Sequence, residues 1–260
     1  MKFGVCCGFN NIAVAAECGY DYIETNFRNL AESSEDEYEK FSAELKNNNI
    51  VCEAANCFLP GNMKVTGKNV DYDAIKKYLS KGFKRASEVG IKIVVFGSGG
   101  ARSIPEYYSY KDAIKDIITF VKEYAAPMAA EYCIDIVFEP LCKPESNIIN
   151  TIKEGAMLAS AIDLPNVGML GDLYHMYVEG DTYDDVRELK GIFRHAHMSN
   201  PASDNDDKKR IYMKESDTFD YKGFFDALRY IDCERVSIEA STDNFEADAR
   251  EAIKVMNLYK

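Results

Sequence analysis

Short runs of β-branched and apolar residues alternate with longer amphipathic stretches from one end of the chain to the other. Eight of these runs predict strands, at residues 3–7, 20–26, 50–58, 92–97, 135–141, 167–174, 193–198 and 235–240. Helical signals fill the gaps. Ser33-Ser34-Glu35-Asp36 sets capping hydroxyls and first-turn acids ahead of apolar positions at Tyr38, Phe41 and Leu45. Asp71 and Asp73 likewise open a helix over 75–89, which Gly90 closes as a left-handed cap. Consecutive strand starts lie about 17 to 43 residues apart and average about 33, the length of a βα unit in a barrel of roughly 250 residues. An open doubly wound sheet would call for a G-x-G-x-x-G turn after the first strand, and Cys7-Gly8-Phe9-Asn10-Asn11 is not one. The pattern therefore predicts an α/β chain folded as a single (β/α)8 TIM barrel. No Pro-, Gly- or Ser-rich linker interrupts the alternation, so residues 1–260 are expected to form one domain.

Composition narrows the functions open to such a barrel. With 43 acidic and 31 basic side chains the formal charge is −12, which repels a polyanion. Only Lys208, Lys209 and Arg210 cluster, so nucleic acid is not an expected partner. No apolar run approaches the roughly 18 residues of a membrane span, and the amino terminus carries too short an apolar stretch for a signal peptide. The eight cysteines form no C-x-x-C pair and mostly lie in apolar runs, which reads as reduced core thiols in a cytoplasmic protein.

The candidate chemistry gathers at the carboxyl ends of four predicted strands, the face where barrels of this kind carry their sites. The chain's three histidines are His175, just past the sixth strand, and His195 and His197 in the seventh. Glu139 lies in Phe138-Glu139-Pro140, Asp172 in Gly171-Asp172-Leu173, and Glu239 in Ile238-Glu239-Ala240. Taken singly, either glutamate reads equally well as a strand-end residue paired with a loop. Several carboxylates and an imidazole set among apolar residues at one mouth are costly to bury without a compensating cation, and a divalent metal is the economical explanation. An oxygen-rich donor set favours Mn²⁺, Mg²⁺ or Co²⁺, with Zn²⁺ also admissible.

Glu139, Asp172 with His175 three residues on, His197 in His-x-His, and Glu239 resemble the metal site of xylose-isomerase-like TIM barrels. Within that superfamily the chain is most similar to the sugar phosphate isomerase/epimerase family and to ketose 3-epimerases of the tagatose/psicose type. The likeness runs from Phe3-Gly4-Val5 to Ser237-Ile238-Glu239. It implies that Glu139, Asp172, His197 and Glu239 hold one divalent ion, Mn²⁺ first among the choices. It implies further that Glu139 and Glu239 remove and return a proton on opposite faces of a sugar through a metal-stabilised enediolate. Glu145 and His175 match positions that bind the substrate's carbonyl end, and Arg210 matches an arginine that reaches substrate oxygens. That last match is loose, because Met213 stands where a proline is usual and the loop carries Asp204, Asp206 and Asp207. The partners implied are a small sugar or sugar phosphate and a second or further copies of the chain, as a homodimer or homotetramer. A hydroxypyruvate-isomerase-like aldose–ketose isomerase, an inosose-type dehydratase and a catalytically silent sugar-binding barrel fit the same residues. An endonuclease-type member does not, since its three-zinc site needs more than three histidines.

Other positions keep two readings each. His195 supports the site or sits satisfied in the core, and Glu24 faces the mouth or pairs with a loop. The turn Gly97-Ser98-Gly99-Gly100-Ala101-Arg102 either cradles a phosphate or simply turns the chain tightly. Asn56, Cys57 and Phe58 are expected to wall the third strand's end. Phe9, Phe27, Tyr107, Tyr108 and Tyr110 either cover the pocket or pack.

Overall fold

The structure, a computed structural model, describes residues 1–202, 210–217 and 219–260. Eight parallel strands close into a barrel: β1 (Lys2–Cys6), β2 (Tyr22–Asn26), β3 (Val51–Asn56), β4 (Ile93–Phe96), β5 (Asp135–Phe138), β6 (Val167–Asp172), β7 (Phe193–Met198) and β8 (Arg235–Ile238). Each pairs with its neighbours in sequence, and β1 against β8 closes the ring in a register running from Lys2 opposite Arg235 to Val5 opposite Ile238. Helices connect consecutive strands around the outside. Helix Glu35–Asn47 begins at the capping box of Ser34 and Glu37, and helix Tyr72–Glu88 at the Asp71 side chain, with Gly90 at φ +97 just beyond it.

All eight apolar runs are strands, but most stop short of the apolar signal. Asp172 shows why. Its carboxylate accepts hydrogen bonds from the amides of Tyr174 (2.7 Å) and His175 (3.4 Å), so Leu173 and Tyr174 already belong to helix Leu173–Glu179. An apolar residue is as well buried at the start of that helix as at the end of the strand, and side-chain polarity alone does not separate the two.

The barrel interior is layered, and the layers place the site. Tyr22, Ala54, Ile93, Val95, Val137 and Leu170 form a buried apolar plug. The Tyr22 hydroxyl is satisfied by Ser237 at 2.8 Å, and Gly4 leaves room for the ring, since a Cβ there would lie 2.3 Å from it. Because side chains alternate along a strand, two residues further on the same strands also point inward. Those positions are Glu24, Asn56, Gly97, Glu139 and Asp172, joined by His197 on β7 and by Glu239, two residues past Ser237 of β8. The plug thus forms the floor, and the polar residues form the layer above it at the carboxyl end.

Past β7, Asn200–Pro201 and Arg210–Ile211 pair antiparallel and return the chain to the rim at Arg210. Lys208, Lys209, Asp204, Asp206 and Asp207 lie outside the described residues. Among the described residues no helix is long and apolar enough to cross a membrane. The expectation of core cysteines needs correction: all eight thiols are free, but only Cys52, Cys142 and Cys233 are buried. Cys57 and Cys133 are exposed, each at a positive φ in a turn flanking a strand, where the backbone leaves the barrel wall.

Candidate active site

Glu139 follows β5 directly and is held from two sides. Arg102, fully buried, donates to the Phe96 carbonyl at 2.8 Å and the Glu139 carbonyl at 2.7 Å, tying the ends of β4 and β5 together. Gly97 provides the space for the carboxylate: a Cβ there would stand 2.2 Å from Glu139 Oε2. The reading of residues 97–102 as a phosphate cradle is therefore corrected for Arg102, whose guanidinium faces main-chain carbonyls inside the barrel wall. Burial lowers its pKa to about 10, which leaves it cationic at neutral pH.

Asp172 ends β6 and uses its two oxygens differently. Oδ1 caps the helix that follows, while Oδ2 lies 3.1 Å from Arg210 Nη1. Glu239, just past β8, accepts from Asn56 Nδ2 at 2.8 Å through one oxygen and from Arg210 Nη1 at 3.0 Å through the other. His197 presents Nδ1 between the two glutamates, 3.0 Å from Glu139 Oε1 and 3.3 Å from Glu239 Oε2. Donor atoms of Glu139, Asp172, His197 and Glu239 all lie within 4.8 Å of one another. The structure thus brings together the four residues expected as ligands, and places Asn56 at Glu239, as a wall residue of the third strand should be.

The charges in this layer interlock. Burial alone would raise the Glu239 carboxyl, but Arg210 and His197 outweigh it and hold it at about 2. Burial alone would lower His197, yet Glu24 and Glu239 push it well above the usual imidazole range. Glu24, which burial would also raise, is pulled below the carboxylate range by His197 and His195. The loop-pairing reading of Glu24 fails: its oxygens face His197 Nε2 at 2.9 Å and His195 Nε2 at 2.8 Å inside the barrel, with all three side chains inaccessible. His195 correspondingly supports the site through Glu24.

Arg210 sits over the Tyr174 ring at 5.5 Å, with Nη2 3.8 Å from Glu145 Oε2. Glu145, His175 and Cys142 form a second group of donors within 4.8 Å. His175 cannot serve it as a simple ligand. The Cys142 amide donates to its Nδ1 at 3.1 Å, so the neutral ring carries its proton on Nε2, a buried hydrogen-bond donor with no partner among the described residues. Of the expected covering aromatics, Phe27 is buried against Phe58 and Phe83, Phe9 stacks on Phe41, and Tyr107 stands almost wholly in solvent. Sequence reasoning missed the supporting role of Arg102 and the space left by Gly97. The one available signal was a glycine at the inward position two residues beyond Val95.

The donor chemistry fits a divalent cation. Three carboxylates and one imidazole, each on a different strand end, supply hard oxygen atoms and a single nitrogen in a desolvated mouth. Glu139 and Glu239 stand three strands apart around the eight-stranded ring, so their carboxylates enter from well-separated directions.

A family model described as a xylose isomerase-like TIM barrel matches residues 12–259. The D-psicose 3-epimerase of Agrobacterium fabrum is 22% identical over 197 residues, 72% of this chain and 65% of that protein. A probable ketose 3-epimerase of Synechocystis sp. is 28% identical over 195 residues, 72% of this chain and 63% of its own. The aligned region thus spans slightly less than two thirds of each of these relatives. The crystal structure of 3-keto-D-glucoside 4-epimerase from Escherichia coli superposes with a TM-score of 0.82 at 19% identity, covering 99% of both chains.

Proposed function

The chain belongs to the xylose isomerase-like TIM barrel family, and on that premise we propose that it is a divalent-metal-dependent sugar epimerase acting on a small ketose. The observation that carries the proposal is the pair Glu139 and Glu239, gathered with Asp172 and His197 so that all four donors lie within 4.8 Å. The names of the relatives, which are epimerases of psicose and of other ketoses, support a sugar as substrate. Mn²⁺ suits the mostly carboxylate donor set best, with Mg²⁺, Co²⁺ and Zn²⁺ as alternatives.

Glu139, Asp172, His197 and Glu239 would hold the ion, which when bound supplies positive charge to stabilise an enediolate developing on the substrate. The protein's own groups do the rest. Glu239 is kept ionised by Arg210 and is ready to accept a proton from the carbon beside the carbonyl. Glu139, arriving from a strand three places away, is positioned to return a proton to the other face, which inverts the centre. Arg210 and the Nε2–H of His175 are the donors for substrate oxygens, with Glu145 accepting from a hydroxyl. General acid–base catalysis of this kind contributes about 10²- to 10⁴-fold. With Arg102 committed to carbonyls, an unphosphorylated sugar fits this mouth better than a phosphate ester.

The test is turnover of a ketose panel by Glu139→Gln and Glu239→Gln at saturating Mn²⁺. Each variant should keep the far-ultraviolet dichroism of the parent and lose turnover by roughly 10²-fold or more. A variant that turns over as fast as the parent removes that residue from proton transfer.

A further inference from the structure

Beneath the donor set lies a polar pair where the rest of the barrel is mostly apolar. At the plug level β2, β3, β4, β5 and β6 supply Tyr22, Ala54, Val95, Val137 and Leu170, whereas β7 supplies His195. A fully buried imidazole at that level needs a partner, and Glu24 provides it. Glu24 reaches from β2 to β7, three strands around the ring, and gives one oxygen to each histidine of β7.

This arrangement constrains which nitrogen of His197 can face the donor set. A carboxylate only accepts, so the nitrogen 2.9 Å from Glu24 Oε1 must carry its proton: Nε2–H donates. Nδ1, 3.0 Å from Glu139 Oε1 and 3.3 Å from Glu239 Oε2, also faces carboxylates and donates to them, so a cation held by the donor set would take the place of the Nδ1 proton and leave the neutral ring with its one proton on Nε2, held there by Glu24. Glu24 is kept from rotating away by the second hydrogen bond, from His195 Nε2 at 2.8 Å. We propose that Glu24, braced by His195, is a positioning residue that fixes the tautomer and ring orientation of His197 so that Nδ1 is the metal ligand. The proposal rests on the metal-dependent reading above and deepens it. Glu24 lies outside the donor set of Glu139, Asp172, His197 and Glu239. It acts through His197 by orienting a ligand and raising its basicity.

With only three histidines in the chain, long-range proton–nitrogen NMR of the nitrogen-15-labelled protein loaded with Zn²⁺ reads each ring separately. The parent should show His197 protonated at Nε2 and zinc-bound at Nδ1. Glu24→Gln should bind Zn²⁺ and Mn²⁺ about 10- to 100-fold more weakly, and its His197 should no longer hold a single tautomer. Zinc on Nε2 in the parent overturns the proposal without any variant having to fold, and so does a folded Glu24→Gln protein whose affinity stays within twofold; both leave the metal reading standing. A parent that takes up neither Zn²⁺ nor Mn²⁺ instead removes the metal reading itself, and the proposal with it.

Discussion

At Gly97 a missing side chain decides where a functional carboxylate lies. The atom that a Cβ would meet, at 2.2 Å, is the far end of the flexible Glu139 side chain, not backbone. The fold can therefore absorb an alanine by swinging Glu139 aside, while the donor set cannot. Gly97→Ala is expected to melt within a few degrees of the parent and to bind Mn²⁺ roughly tenfold more weakly, a loss of the size seen when a ligand is poorly supported. Thermal unfolding and a Mn²⁺ titration on the same preparation check both halves. Unchanged affinity would mean that Glu139 reaches the site by another rotamer. At this scale the gathering of Glu139, Asp172, His197 and Glu239 was legible because each sits at a strand end, where alternation fixes the inward face. The bracing by Arg102 was not, since its carbonyl partners, six and 37 residues away, meet only where β4 and β5 lie side by side, and Glu24, readable as facing the mouth, has histidine partners 171 and 173 residues away that only the closed barrel brings to it.

At the scale of elements, the junction of β6 and helix Leu173–Glu179 joins a helix cap to the candidate site in one side chain. Asp172 caps the helix through Oδ1 and faces the mouth through Oδ2. Asparagine caps about as well as aspartate, so Asp172→Asn separates the two roles. The variant should lose well under 1 kcal/mol of stability in urea unfolding and bind Mn²⁺ at least tenfold more weakly, since a carboxylate ligand has become a neutral amide. A large stability loss with unchanged affinity would make Asp172 a structural cap alone. The strands were readable as apolar runs, but their ends were not. Where 167–174 continues apolar through Leu173 and Tyr174, a hydrogen bond from a side chain to two amides ends the strand, and polarity carries no record of it.

For the whole molecule, eight short strands in one closed ring put an apolar floor under a polar mouth. The spacing of the predicted strands and the absence of a dinucleotide turn made that architecture legible, with the neighbour-to-neighbour order following from the alternation of strand and helix. Four carboxylates, Glu24, Glu139, Asp172 and Glu239, share one end of the barrel with Arg210, His195 and His197. On the proposed function, this mouth would move a proton between two faces of a ketose under the influence of a bound cation. The most direct test is proton NMR of a panel of ketoses incubated in D₂O with the Mn²⁺-loaded protein, the metal being stripped before each spectrum, against a chelated control. Deuterium appearing at ketose C3 only in the metal-loaded sample is the predicted result. Deuterium confined to C1 or C2 would contradict 3-epimerisation in favour of aldose–ketose isomerisation, and no incorporation into any ketose by protein that holds its metal would contradict the proton-transfer account altogether.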